Sequence, residues 1–444
     1  MKTQELSRRR FLKGTAAAVA APYVITSTAL GQDDVPAASE RVVIGHIGVG
    51  GQGSGLLGGF LHVPNSRSVA VCDAFKDRRE GRAAQIDAHY GEASGKACAI
   101  YRDFRELLAR DDIDATVIAT GDRWHALAAV MAAKAGKDIY CEKPMSLTIA
   151  EARTMVETVR RYGRVFQTGL QQRSTPEFRR ACRLVQDGRI GKVTNVYVNF
   201  PSTNSHVNLP VEPVPDGLDW DLWLGPAPWR PFNGRFHIYG RPPRVVPWDI
   251  CRDFGGGNLT SNAVHAFDVV QWGLGMDQSG PVEIIPPETG QYPVLTYKYA
   301  NGVVLQVDWK LDAQKDFVPE GWDANTPLQN FGALFVGEDG WIHVGRQGYL
   351  KSYPKEILEQ PAGESDPRQP VNNHHQDWLQ CIRTREKPAC DVAIGCRSTT
   401  VSHLGCIAHW TGRSLAWDPV NEQFVGDDEA NLLRSRAMRE PWRL

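Results

Sequence analysis

The chain has 444 residues, 42% hydrophobic and 23% charged, enough for two or three domains of roughly 100–200 residues each. Its formal net charge is −1, and no basic run follows Lys13, which excludes nucleic acid as an electrostatically bound partner. Nine cysteines, an odd number without a Cys-x-x-Cys pair, together with the lack of metal-ligand spacing, argue against a structural metal.

The N-terminus reads as a targeting segment. Ser7-Arg8-Arg9-Arg10-Phe11-Leu12-Lys13 has the form of a twin-arginine export signal. Gly14 to Leu30 is small and apolar, and Ala29-Leu30-Gly31 resembles a cleavage site. The apolar part is short for a membrane helix and is broken by Pro22; a retained anchor is the alternative. Residues 1–31 carry five positive charges and one negative, so their removal takes the net charge from −1 to −5. The expected itinerary is folding in the reducing cytoplasm, passage through the twin-arginine translocase, and a periplasmic or other extracytoplasmic destination. Folding before export leaves no role for a disulfide framework. Cys72 and Cys141 end apolar runs and read as buried small hydrophobes.

From 41 to 168 short β-branched runs alternate with helical patterns, the mark of a parallel sheet with crossover helices. Strands are predicted at Val42–Ile47, Val69–Cys72, Ala115–Ala119, Asp138–Cys141 and Val165–Gln167. The clearest helix follows a capping box of Thr148 and Glu151, with Ala152, Met155, Val156, Val159 and Tyr162 at helical spacing and Gly163 as its stop.

Gly48-x-Gly50-x-x-Gly53 directly follows the first strand and opens a helix, and Asp73 ends the next strand. In that context the motif is a dinucleotide-binding fingerprint. Gly48 permits the tight turn, Gly50 with Gly51 and Gln52 brings backbone amides to a pyrophosphate, and Gly53 lets helix and strand pack closely. The helix N-terminus adds free N–H groups and partial positive charge. Asp73 accepts from both adenine-ribose hydroxyls and repels a 2′-phosphate, so NAD is favoured over NADP, with Lys76, Arg78 and Arg79 nearby as the counterargument.

After Gly169 the pattern changes. A helix is predicted at Pro176–Gln186 and a strand at Lys192–Phe200, followed by a Pro/Trp-rich stretch, Pro201–Asp253, with little periodicity. Tyr292–Tyr299, Val303–Trp309, Ala333–Val336 and Trp341–Val344 read as successive antiparallel strands. Helices near Asn373–Thr384 and Ile394–Trp410 follow. The expected division is an export signal at 1–31, a dinucleotide domain at 41–168, a second α+β domain at 169–420, and a tail at 421–444. His374-His375 would diverge on a helix, which suits solvated or capping histidines better than metal ligands.

The glycine turn, Ala119-Thr120-Gly121-Asp122-Arg123-Trp124-His125, Cys141-Glu142-Lys143-Pro144 and Gly255-Gly256-Gly257-x(7)-His265-x-x-Asp268 together resemble the glucose–fructose oxidoreductase / inositol dehydrogenase (Gfo/Idh/MocA) family over nearly the whole chain beyond the signal. The resemblance implies an α/β protein: an N-terminal Rossmann domain followed by a C-terminal α+β domain with a large open, mainly antiparallel sheet. Substrate would lie between the two over the nicotinamide. It also implies cofactor contacts from Thr120, His125, Glu142 and Lys143, and a substrate contact from Asp268.

The chemistry follows from the residues. Hydride leaves a carbon only when the neighbouring hydroxyl loses its proton, and Lys143 stands where this fold gathers its ligands, at the carboxyl end of a strand. Its ammonium can stabilise an alkoxide or donate the proton in reverse. His265 lies on a predicted helix, Leu259–Trp272. Such a histidine alone is more often structural; the resemblance implies acid/base work. Related dehydrogenases typically carry Asp four residues before it, and this chain has Ser261, whose hydroxyl can orient the ring but cannot raise its pKa as a carboxylate would.

Trp220, Trp223, Trp229 and Trp248 are candidates for stacking on sugar faces, or for core. His237 and Tyr239 flank an apolar position and can point the same way on an extended segment, as acid/base groups or loop hydrogen-bond partners. Gln171-Gln172-Arg173 follows a strand end, within reach of substrate hydroxyls or a carboxylate. Outside the cytoplasm free cofactor is not replenished, so the expectation is an NAD-dependent sugar or polyol oxidoreductase whose tightly held cofactor is restored within each cycle. A redox-neutral glycosidase, oxidising C3, eliminating across C1–C2, adding water and reducing back, is the alternative. A non-catalytic sugar-binding protein is a third reading. An open sheet face suits a homo-oligomer.

Overall fold

The computed structural model describes residues 37–91, 97–236, 248–311, 318–323, 325–361 and 373–444. Residues up to Arg41 form a unit of their own, with one 3-10 turn at Ala38–Glu40. The export signal lies outside the described residues.

From Val42 onward the chain first builds a six-stranded sheet. Its strands are β1 (Val42–Ile47), β2 (Ser66–Cys72), β3 (Ala99–Tyr101), β4 (Ala115–Ile118), β5 (Asp138–Cys141) and β6 (Phe166–Thr168). Their order is β3-β2-β1-β4-β5-β6, and every pair is parallel. The crossover helices are α1 (Gly51–Leu61), α2 (Lys76–Tyr90), α3 (Phe104–Leu108), α4 (Asp122–Lys134) and α5 (Ile149–Arg161). Helices cover both faces, which is why β4 and β5 are buried at every position rather than alternately. At α5 the Thr148 hydroxyl accepts from the Glu151 N–H (3.2 Å), and Glu151 Oε2 accepts from the Leu147 N–H (2.9 Å), so the expected cap forms one residue wider than a simple capping box. β3 went unread because it is only three residues long, with Ile100 exposed and Ala99 and Tyr101 half-buried.

The second sheet has nine strands in the order β13-β12-β11-β7-β10-β9-β8-β14-β15. β7 (Val193–Val198) follows α6 (Pro176–Gln186); after it come α7 (Trp220–Leu224), α8 (Asn258–Ser261) and α9 (Ala263–Gly273). Then come β8 (Glu283–Ile285), β9 (Leu295–Lys298), β10 (Val304–Val307), β11 (Ala333–Gly337), β12 (Gly340–Val344) and β13 (Leu350–Tyr353). After α10 (His374–Thr384) and α11 (Val392–Thr411), β14 (Leu415–Asp418), β15 (Gln423–Phe424) and α12 (Asp428–Leu432) end the chain.

One expectation needs correction here: β10 and β11 are not neighbours. β7 lies between them, parallel to β10 and antiparallel to β11. Local alternation sets which face a residue takes, not which strand sits beside it. The predicted Leu259–Trp272 helix is also two helices, broken at Asn262 (φ −124°, ψ −53°).

Phe178 and Leu184 on α6, Phe267 and Val270 on α9, and Leu404 and Ile407 on α11 pack against Val196, Leu305, Phe335 and Ile342 of this sheet. α11 also reaches the first sheet, since Val392 and Cys396 belong to the core that holds Ile139 and Phe166. α10 folds back as well: fully buried Trp378 shares a core with Phe60 of α1 and Val117 of β4. The final segment is anchored on the first sheet's helices. Trp442 meets Trp124 edge-on (4.7 Å between ring centroids), and Arg436 pairs with Glu151 (2.6 Å).

Of the pair His374-His375, the first is buried and the second half-buried. His374 Nδ1 lies 2.7 Å from the Ser174 hydroxyl and Nε2 2.9 Å from the Thr168 carbonyl, while His375 stacks on Phe60. Capping falls to Asn373, whose side chain accepts from both His375 and Gln376 N–H groups.

Candidate functional site

β1 ends at Ile47, and the chain turns at once through Gly48, whose φ of +81° only glycine adopts without strain. A Cβ there would also lie 2.8 Å from the Ala119 and Thr120 backbone, and one on Gly53 would run into the Gly48 carbonyl. The turn therefore brings the start of α1 hard against the end of β4 and leaves α1 amides facing open space.

That space is a cavity of about 700 Å³, within the roughly 300–1,000 Å³ usual for small-ligand sites. Gly48, Gly50, Gly51, Gln52, Asp73, Thr120, His125, Glu142 and Lys143 all border it; Gly53 instead supports the turn from behind. Asp73 caps the same turn: Oδ2 accepts from the Val49 N–H and Oδ1 from the Phe75 N–H, both at 2.9 Å. Each oxygen keeps a lone pair for a ligand. Burial raises the Asp73 carboxyl, offset by those N–H donors and by Arg78. Arg78 stacks on Phe75 (3.9 Å) and lies about 3.0 Å from where a Gly50 Cβ would be. The bare glycine turn, the α1 N-terminus and an acidic acceptor at the end of β2 fit a dinucleotide.

β5 delivers Glu142 and Lys143 to the cavity floor. Glu142 Oε1 accepts from Gln52 (3.1 Å) and Gln171 (3.2 Å), and its Oε2 from the Lys143 N–H (3.2 Å). Burial raises this carboxyl, while Lys143 and these donors hold it down. Lys143 Nζ donates to the Ser261 carbonyl oxygen at 2.6 Å. One donor is thereby fixed across the cavity and two remain to point elsewhere. His125 is held between the Pro144 carbonyl (Nδ1, 2.7 Å) and the Thr120 carbonyl (Nε2, 3.1 Å). Burial pushes its pKa down to about 4 against the pull of those two carbonyls, and the ring shapes the wall.

His265 is buried, edge-on to Phe331 (5.4 Å), and does not border the cavity. With the Gln172 amide turned to satisfy both ends, its nitrogen donates to His265 Nδ1 (2.8 Å) and its oxygen accepts from the Arg346 guanidinium (3.0 Å). Burial, then Lys143, Arg346 and His374, hold His265 well below its usual pKa. Arg346 lies over the Phe331 ring (3.8 Å), and Phe331 adopts φ +62°, a strained backbone of the kind that clusters at sites.

Three expected substrate residues are placed elsewhere. Arg173 donates from Nε to both Asp268 oxygens (2.9 Å) and from its two terminal nitrogens to the two Asp277 oxygens (2.7 and 2.9 Å), and the Ser398 hydroxyl donates to Asp268. Arg173 and Asp268 are 4% and 0% exposed, so these charges answer each other. Trp220 stacks on Trp223 (4.6 Å), and its Nε1 donates to the Arg230 carbonyl. It is core to its loop; Trp223 and Trp248 border the cavity instead. Trp229 is exposed. His237 and Tyr239 lie outside the described residues. Asp122 and Asp249 went unread as site residues: Asp122 opens α4 within the Ala119–His125 motif, Asp249 sits in a 3-10 turn of the Pro/Trp-rich stretch, and only the fold brings both to the cavity wall.

Taken together, these features define a nucleotide-dependent oxidoreductase: a parallel six-stranded sheet with the glycine turn, and a lysine at a strand end facing the second domain. Residues 42–170 match the oxidoreductase-family NAD-binding Rossmann fold, and 188–444 match that family's C-terminal alpha/beta domain. The chain belongs to the Gfo/Idh/MocA oxidoreductase family. Residues 5–22 match the twin-arginine translocation signal, which indicates export to the periplasm or extracytoplasmic space.

Among relatives, a glycosyl hydrolase family 109 protein of Saccharopolyspora erythraea is 38% identical over 159 residues, 35% of this chain and 34% of that protein. A myo-inositol 2-dehydrogenase of Thermotoga maritima is 29% identical over 151 residues, 34% of this chain and 42% of that one. The chain thus matches well under half the length of these curated relatives. Among solved structures, an aldose–aldose oxidoreductase from Caulobacter crescentus complexed with glycerol superposes with a TM-score of 0.55 at 18% identity. That match covers 85% of this chain and 99% of the other. A WlbA dehydrogenase from Chromobacterium violaceum, in complex with NADH and UDP-GlcNAcA, gives 0.56 at 15% identity over 86% and 98%. These likenesses show the fold.

Proposed function

We propose that the protein is an exported oxidoreductase of sugars or polyols that keeps one nicotinamide dinucleotide bound and returns it to its starting state in each cycle. The observation that carries this reading is Lys143, fixed to Ser261 across a cavity that begins at the glycine turn. When bound, the dinucleotide supplies the hydride acceptor and donor. The chain's own residues do the rest. Lys143 holds a substrate hydroxyl, stabilises the charge that develops on that oxygen, and gives it the proton in the reverse direction. Glu142, tied to Gln52 and Gln171, sets a carboxyl beside the ammonium. Trp223 and Trp248 wall the cavity and exclude water, which strengthens each charge within it. Asp73 supports NAD over NADP, because a 2′-phosphate there would meet its carboxylate.

A redox-neutral glycosidase is the second reading, favoured by the 38% identity to the family 109 glycosyl hydrolase. To separate the readings, purified protein would be incubated with a panel of sugars and aryl glycosides without added NAD, following bound NADH fluorescence and free hexose. Fluorescence change with a sugar supports the oxidoreductase, and release of hexose supports the glycosidase. A bound sugar that changes neither leaves only a binding protein and contradicts the proposal.

A further inference from the structure

We propose that Asp122 and Asp249 form a proton-holding pair on the cavity wall beside Lys143, a second acid/base station that acts on the carbohydrate. This rests on reading the cavity as a sugar-oxidising site.

The two residues arrive from distant segments. Asp122 opens α4 just after Gly121. Asp249 comes from the 3-10 turn Trp248–Ile250, and that turn is pinned in place. Its Asp249 carbonyl accepts from the Gly257 N–H (2.8 Å), and its Ile250 carbonyl accepts from the Ser205 N–H (2.9 Å). Gly255 must be glycine for the turn to sit there, since a Cβ would lie 2.5 Å from the Asp249 oxygen. On the other side Trp248 comes within 3.6 Å of where a Gly121 Cβ would be.

Both side chains border the cavity and are nearly inaccessible, 2% for Asp122 and 7% for Asp249. Yet Asp122 Oδ2 and Asp249 Oδ1 have no hydrogen-bond partner among the described residues. A buried carboxyl oxygen left unpaired is destabilising, so two such oxygens on one ligand cavity indicate atoms kept for a ligand. Three further groups face the pair: Lys143 from the end of β5, Arg123 from α4 and Ser261 from α8. Burial and then Asp249 push Asp122 well above the usual carboxylate range, and burial raises Asp249, with Ser261 and Lys143 pulling it back. Neighbouring carboxyls that cannot both ionise share one proton. The pair then carries one base and one acid.

On a keto sugar this permits one balanced step. The carboxylate takes the proton from the carbon next to the carbonyl. The C–H electron pair becomes the enolate double bond, and the carbonyl oxygen gains the negative charge, which Lys143 meets. Return of a proton from the pair reverses the step.

The test uses the whole protein, with Asp122→Asn, Asp249→Asn and Asp249→Glu. Infrared difference spectra at neutral pH should show a protonated-carboxyl band in the wild type that both Asn variants lose. With any panel sugar that reduces the bound cofactor, D₂O should place deuterium on the carbon beside the one oxidised. Exchange per hydride transferred should fall about 100-fold in Asp249→Asn and persist in Asp249→Glu. Adding Ser261→Asp to the Asn variant should restore it, because that carboxylate enters from the same wall. A wild type without the band, or Asp249→Asn with undiminished exchange, overturns the pair. If no sugar reduces the cofactor, the sugar-oxidising reading fails and the infrared band alone decides the pair.

Discussion

Lys143 reaches across the cavity to the Ser261 carbonyl oxygen, 2.6 Å from its ammonium nitrogen. The contact joins the end of β5, which belongs to the dinucleotide-binding sheet, to α8 of the second domain. It aims the ammonium without neutralising it, because a carbonyl accepts a hydrogen bond but carries no full charge. Sugar oxidation then depends on this one side chain. Lys143→Ala should lower hydride transfer about 100- to 10,000-fold while cofactor remains bound; single-turnover fluorescence and cofactor content measure both.

The glycine turn sets cofactor retention. Gly53→Ala drives a methyl group into the Gly48 carbonyl and should move α1 off β4. Purified Gly53→Ala should carry far less dinucleotide than the wild type, as read by absorbance after acid release. Equal content would remove the turn from the cofactor site.

Arg173 illustrates how far sequence reasoning goes. Its place after a strand end made it a plausible substrate ligand, and its strand-end position is as expected. Nothing local announces that Asp268 and Asp277, both far along the chain, converge on its guanidinium. Arg173→Met leaves buried Asp268 with only the Ser398 hydroxyl and half-buried Asp277 without its arginine, and should cost about 3–5 kcal/mol, seen in denaturant unfolding. The KM of whatever fraction stays folded should be unchanged; a raised KM with unchanged stability would restore the substrate role.

The same contrast holds elsewhere. The first sheet was legible because parallel strands are apolar throughout and the glycine spacing fixes the turn. The β7 insertion, the return of α10 to the first sheet, and the meeting of Asp122 with Asp249 were not, because each is a pairing between distant segments. Period and propensity carry no information about such pairs. Trp220 was offered as a sugar contact although a tryptophan in such a stretch is more often core, and here Trp223 and Phe232 claim it.

His374 makes the fold acid-sensitive. Burial pushes its pKa down to about 3, against about 6.5 in an unfolded chain. Its neutral form contributes stability above pH 6.5 that is lost as pH falls, since only the unfolded chain takes up the proton. Between pH 6.5 and 4 the slope is about 1.4 kcal/mol per pH unit. Buried carboxyls such as Asp73 and Glu142 act in the opposite direction, so the comparison must be with a variant. His374→Asn should reduce the acid sensitivity of unfolding by about that slope, measured by urea melts at pH 7, 5.5 and 4.5. Parallel pH profiles would contradict the assignment.

The central claim is that the dinucleotide travels with the chain and is regenerated where it sits. Native mass spectrometry of protein recovered from outside the cytoplasm measures this most directly. The account predicts a mass excess of one nicotinamide dinucleotide per chain; a bare chain that takes up neither NAD nor NADP on incubation would contradict it.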